Sequence, residues 1–155
     1  VTITIMSTYN ILSPFSYNKL IEKVWEIKKE HQNLERYWQH PILLDTSYLR
    51  FPSHQSVKIL DREHKELILE AAKKAFYYAT PEFKHTNIGF SDVEVQKIKR
   101  IYDWMISPQD SMEQMKNRYS FYKYFSEHDR RRGTDFVKTF PELEEFYHFC
   151  STISI

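Results

Sequence analysis

Cysteine, glycine and charge of one sign are what this chain has least of. Cys150 is the one cysteine in 155 residues, so no internal disulfide can form, and a zinc or iron–sulfur site built on cysteines of this chain is excluded. The two glycines, Gly89 and Gly133, stand far apart, and neither a P-loop nor a dinucleotide fingerprint can be written without clustered glycine. No G-x-S-x-G elbow is present. Basic and acidic side chains number 22 and 21, a formal net charge of +1. A chain made mainly to coat nucleic acid or an anionic membrane carries a clear excess of base, so neither partner is expected. No apolar run approaches the roughly 18 residues of a membrane span, and no basic-then-apolar segment opens the sequence. These absences predict a soluble chain in reducing, cytoplasmic surroundings.

What is present is the material of one ordinary domain, with 41% hydrophobic and 28% charged residues. Aromatic residues reach 16%. The first residue is Val1 rather than methionine, as processing, trimming or a fragment of something longer would each give.

Periodicity predicts the elements. Val1, Ile3 and Ile5 alternate with Thr2 and Thr4 in a β-branched run over residues 1–9, a strand with one buried face. Pro14 breaks it, and Tyr17, Leu20, Ile21, Val24 and Ile27 then mark one face of a helix over residues 16–30. A polar link ends at Pro41, and Ile42, Leu43 and Leu44 open a second, buried strand that closes at Arg50-Phe51-Pro52. Residues 56–60 read as a short extended piece. Asp61 is the expected N-cap of a helix over residues 62–79, stopped by Thr80-Pro81. The remainder reads as helical. Ser91 and Glu94 have capping-box spacing, Pro108 suits a first helical position, and Gly133 is a natural stop for a helix over residues 109–131. Phe140-Pro141 opens the last helix. The fold class is therefore α/β: two parallel strands joined through a helix, then a helical tail. A parallel sheet of two strands has unpaired edges and is a poor unit by itself.

Few side chains point to chemistry. The seven histidines show no HExxH and no helical pair at metal spacing. Cys150 sits on the apolar face of the last helix, as a buried thiol does. Glu142, Glu144 and Glu145 follow Pro141 in a first helical turn, where carboxylates meet the positive end of the dipole. Seven basic residues lie between Lys116 and Lys138. Of these, Arg130, Arg131 and Arg132 complement a helix C-terminus. The alternative is a phosphate or RNA contact aided by Tyr119, Phe121, Tyr122 and Tyr124. Parallel α/β proteins place their reactive groups at the C-terminal ends of strands. Here those ends carry Ser7, Thr8, Tyr9 and Asn10, then Thr46, Ser47, Tyr48 and Arg50. Loop capping by Asn10 and Ser13 is the competing explanation.

Thr8-Tyr9-Asn10, the run Tyr48-Leu49-Arg50-Phe51-Pro52, residues 129–136 (DRRRGTDF) and residues 139–142 (TFPE) together touch most of the chain. They resemble the later part of radical SAM proteins, in particular a twitch-domain-containing group of marine bacteria and phages. The resemblance implies a partial (β/α)6 TIM-like barrel holding a 4Fe-4S cluster and S-adenosylmethionine, whose reductive cleavage starts radical chemistry on an unknown substrate. The family's Cys-x3-Cys-x2-Cys motif is absent here, so the cluster ligands would lie in a missing N-terminal barrel half. Residues 1–80 would supply the last two βα units and residues 81–155 a helical extension, inactive alone. Ser7, Tyr9, Asn10, Tyr48 and Arg50 would then face the barrel mouth, toward cofactor or substrate. The rival expectation is a stand-alone helix-rich binding module that contacts a protein or RNA partner through Arg130, Arg131 and Arg132.

Overall fold

The computed structural model describes residues 2–31, 41–79 and 89–155. Val1, the polar link after His31 and the Thr80-Pro81 stop lie outside the described residues. Two strands, β1 (Ile3–Tyr9) and β2 (Ile42–Tyr48), pair in parallel with Ile3 beside Ile42 and Tyr9 beside Tyr48. Between them runs α1 (Pro14–Glu30). After β2 come α2 (Arg62–Tyr77), α3 (Asp92–Ile106), α4 (Ser111–Arg132), α5 (Phe136–Thr139) and α6 (Glu144–Ser151). The α/β class and the parallel pairing match the sequence reading. No described helix is long and apolar enough to cross a membrane.

Parallel partners in register share a face of the sheet. Ile3, Ile5, Ser7 and Tyr9 therefore lie with Ile42, Leu44, Thr46 and Tyr48 on one side. That side meets the helices: Tyr9, Ile42, Leu44 and Thr46 are buried, and the Tyr17 hydroxyl of α1 is 2.6 Å from Thr46 Oγ1. Among the described residues no helix stacks on the other side, although Lys97 of α3 reaches Asp45 there at 2.6 Å. Thr4, Thr8 and Ser47 are exposed there, and Met6 is 82% exposed. Helices stack outward from the covered side, α1 on α2, α2 on α3, and α3 along β2.

The two sheet edges differ as sharply as the two faces. Ile3 N–H donates to Pro41 O, and Leu49 N–H donates to Tyr9 O. This phase points the backbone groups of Thr4, Met6 and Thr8 away from β2. Among the described residues those groups have no backbone partner. On the β2 edge, by contrast, Leu44 N–H donates to Glu94 Oε1 at 2.7 Å. Glu94 belongs to the first turn of α3, and its other oxygen accepts Ser91 N–H at 2.7 Å to complete the capping box expected from Ser-x-x-Glu. The buried Lys28 ammonium of α1 binds the same carboxylate, and it also donates to Gly89 O at 3.2 Å.

The helical half is built around rings. Phe121 of α4 meets Phe125, Phe136, Phe146 and Tyr147 edge-on or tilted, geometries that favour aromatic pairs. Buried Arg118 ties this half to the first, donating to Ile59 O and Asp61 Oδ1, each at 2.7 Å.

Several boundaries depart from expectation. Residues 57–59 form a 3-10 turn rather than an extended piece, because Ser56 Oγ accepts Lys58 N–H and closes the chain on itself. Pro108 precedes α4 instead of opening it; Asp110 is the cap, accepting Glu113 N–H at 2.8 Å. Pro141 starts a 3-10 turn (Pro141–Leu143) ahead of α6, and the short α5 before it was not foreseen. Gly133 does end α4, at φ 64°.

Candidate functional site

Asn10 closes a turn. Its side-chain oxygen accepts Leu12 N–H at 2.9 Å, while Ser13 Oγ accepts Asn10 N–H at 3.0 Å. This is local capping, and it delivers the chain to Pro14 at the start of α1. Tyr9 is fully buried on the helical side of the sheet, its ring edge-on to Tyr17 at 4.9 Å. Burial pushes its hydroxyl well above the ordinary tyrosine value, and that oxygen has no hydrogen-bond partner among the described residues. Ser7 lies a rung back, beside Thr46 and half-buried.

Tyr48 and Arg50 come into contact, as do the Thr8 and Ser47 hydroxyls at 3.5 Å. Arg50 Nη2 donates to the Tyr48 hydroxyl at 2.8 Å, and its guanidinium lies 5.1 Å from the Tyr48 ring centre. Trp104 of α3 stacks on Tyr48 with 5.5 Å between ring centres. The Arg50 guanidinium is 5.4 Å from the indole and the Lys58 ammonium 4.2 Å from it, both within cation–π range. Lys58 is steered there by Ser107 Oγ at 2.8 Å and Pro108 O at 3.1 Å. Phe51, 80% exposed and joined to Pro52 by a cis peptide, stands at the rim.

Arg50, Phe51, Lys58 and Trp104 line a cleft of about 400 Å³ just beyond the C-terminal end of β2; Tyr48 lies behind Arg50 and Trp104. Sequence reasoning found Tyr48 and Arg50. It missed Lys58 and Trp104, which arrive from separate segments and carry no local motif. The chemistry on offer is a pair of cations over an aromatic floor, suited to an anionic group beside a flat or apolar one.

Among the described residues no three His, Cys, Asp or Glu side chains gather to hold an ion. Cys150 is buried in α6, and burial pushes its thiol up to about 12, so it is neither exposed nor ionised. The DRRRGTDF segment is a helix exit. Asp129 accepts the Thr134 hydroxyl and Phe136 N–H, each at 2.7 Å, and seats Phe136 among the rings. Glu127 holds Arg130 and Arg131 on the surface at 2.6–2.7 Å. Compared with family models, with curated proteins and with solved structures, the chain matches none.

Proposed function

We propose that this chain is the C-terminal part of a cytoplasmic radical SAM enzyme, supplying the last two βα units of a partial (β/α)6 barrel and a helical tail. The observation that supports this most is the one-sided sheet. In a βα barrel, helices cover the outside of each strand and the opposite side chains line the interior. Tyr9, Leu44 and Thr46 lie under helices here, while Thr4, Met6, Thr8 and Ser47 are exposed. The β1 edge, with three unpaired backbone positions, is the side on which further parallel strands would add. Glu94 occupies the β2 edge.

The residues present do not fit the 4Fe-4S cluster. A single buried cysteine cannot supply its thiolates, so the cluster would be held by the N-terminal barrel half, and no step is assigned through it. This chain would contribute the interior wall and the rim at Tyr48 and Arg50; the substrate is left open. Anaerobic reconstitution of the protein encoded by the whole reading frame, with iron and sulfide, tests the reading. Bound iron and 5′-deoxyadenosine released from S-adenosylmethionine are expected. A reading frame without the three clustered cysteines, or a reconstituted protein releasing no 5′-deoxyadenosine, overturns it.

The binding-module alternative has less support. Glu127 already engages two of the three arginines it relies on, and exposed charges so paired add little to a nucleic-acid footprint.

A further inference from the structure

The cleft beyond β2 is lined by charges of both signs. Arg50 and Lys58 supply the cations. Asp110 and Glu113, at the start of α4, supply the carboxylates. None of these four charged groups has an oppositely charged partner within 4.0 Å among the described residues, so no ion pair closes the cleft. Asp110 spends one oxygen on Glu113 N–H, leaving the other. The space these groups line, about 400 Å³, falls in the size range of small-molecule sites.

An anion alone would meet Asp110 and Glu113, and a cation alone would meet Arg50 and Lys58. A molecule bearing both charges satisfies both pairs. We propose that the cleft binds a small zwitterion, a free α-amino acid with an apolar or aromatic side chain. Its carboxylate would sit on Arg50 and Lys58, and its ammonium on Asp110 and Glu113. Its side chain would cover Phe51 and Trp104, removing exposed apolar surface from water. The site is independent of whether β1 pairs with upstream strands.

Calorimetric titration of the chain with L-phenylalanine, N-acetyl-L-phenylalanine and L-phenylalaninamide tests this, because the last two each lack one charge. L-phenylalanine is expected to bind at least about tenfold more tightly than either, as charge-assisted hydrogen bonds allow. Arg50→Gln should weaken L-phenylalanine and leave the amide unchanged. Glu113→Gln should weaken L-phenylalanine and leave the N-acetyl compound unchanged. Both side chains are exposed, and circular dichroism checks that each variant keeps its fold. Equal affinity for the three compounds overturns the proposal, as do variants that bind like the unaltered chain. So does the absence of saturable L-phenylalanine binding at millimolar concentration.

Discussion

Lys28 Nζ lies 2.9 and 3.1 Å from the two carboxylate oxygens of Glu94, and both side chains are buried, at 1% and 3% exposure. The pair joins α1, the edge of β2 and the cap of α3. Burial is the largest influence on Lys28 and lowers its pKa, and Glu94 offsets only part of that. Removing one partner strands the other charge without water. Lys28→Met is therefore expected to cost about 3–5 kcal/mol. Glu94→Gln should cost at least as much, because it also disturbs the bonds to Leu44 and Ser91. Urea denaturation of both singles and the double substitution checks this, with a coupling of about 0.5–3 kcal/mol expected.

The phase of β1 predicts an alternating exchange pattern. In hydrogen exchange followed by NMR, the amides of Ile5, Ser7 and Tyr9 should be protected and those of Thr4, Met6 and Thr8 should exchange fast. Adding the N-terminal barrel half should slow the second set if strands join at that edge. Uniform protection along β1 in the chain alone would contradict the described register.

Gly133 has a φ of 64°, and a β-carbon there would meet nothing within 4 Å. Space is not the constraint; the left-handed backbone is. Gly133→Ala should cost about 1–2 kcal/mol from that conformation alone. Gly133→Asn should recover part of the loss, since asparagine tolerates the region. Thermal melts of the two variants give the comparison.

Glu127 titrates low. Hydrogen bonds from Arg130 and then Arg131 bring its carboxyl from 4.5 down to about 2. A depressed carboxyl contributes above its unfolded value and loses that contribution as pH falls through the folded one. The window is thus from about 4.5 to about 2. A carbon-detected NMR titration should find the low midpoint, and Arg130→Met should raise it. The group is exposed, so global stability should barely register the change.

Much of the framework was legible from local pattern. The alternation of Ile3 and Ile5, the capping pair Ser91 and Glu94 and the stop at Gly133 each announce themselves within a few residues. What escaped depends on distance along the chain. Glu94 was readable as a helix cap, yet its second duty toward Leu44 and Lys28 needs three elements already in place. Tyr9 sits at a strand end, where a mouth residue is expected, but α1 comes down over it and Tyr17 takes its face. Lys58 falls in a stretch that reads as extended, and only the turn begun by Ser56 swings it over Trp104. The cleft is legible only through Arg50, because part of its lining follows directly on β2 and the rest begins about fifty residues later.

The Asp129 exit has a consequence for the surface. Its bonds run to Gly133, Thr134 and Phe136, and none involves the side chains of the intervening arginines. The path of the last twenty-odd residues is therefore set by Asp129, Gly133, Thr134 and Phe136 and does not depend on the arginine side chains between Asp129 and Gly133. Positions 130, 131 and 132 form a display bracket: what they carry can be exchanged, charge for charge or charge for none, without altering where α5 and α6 lie.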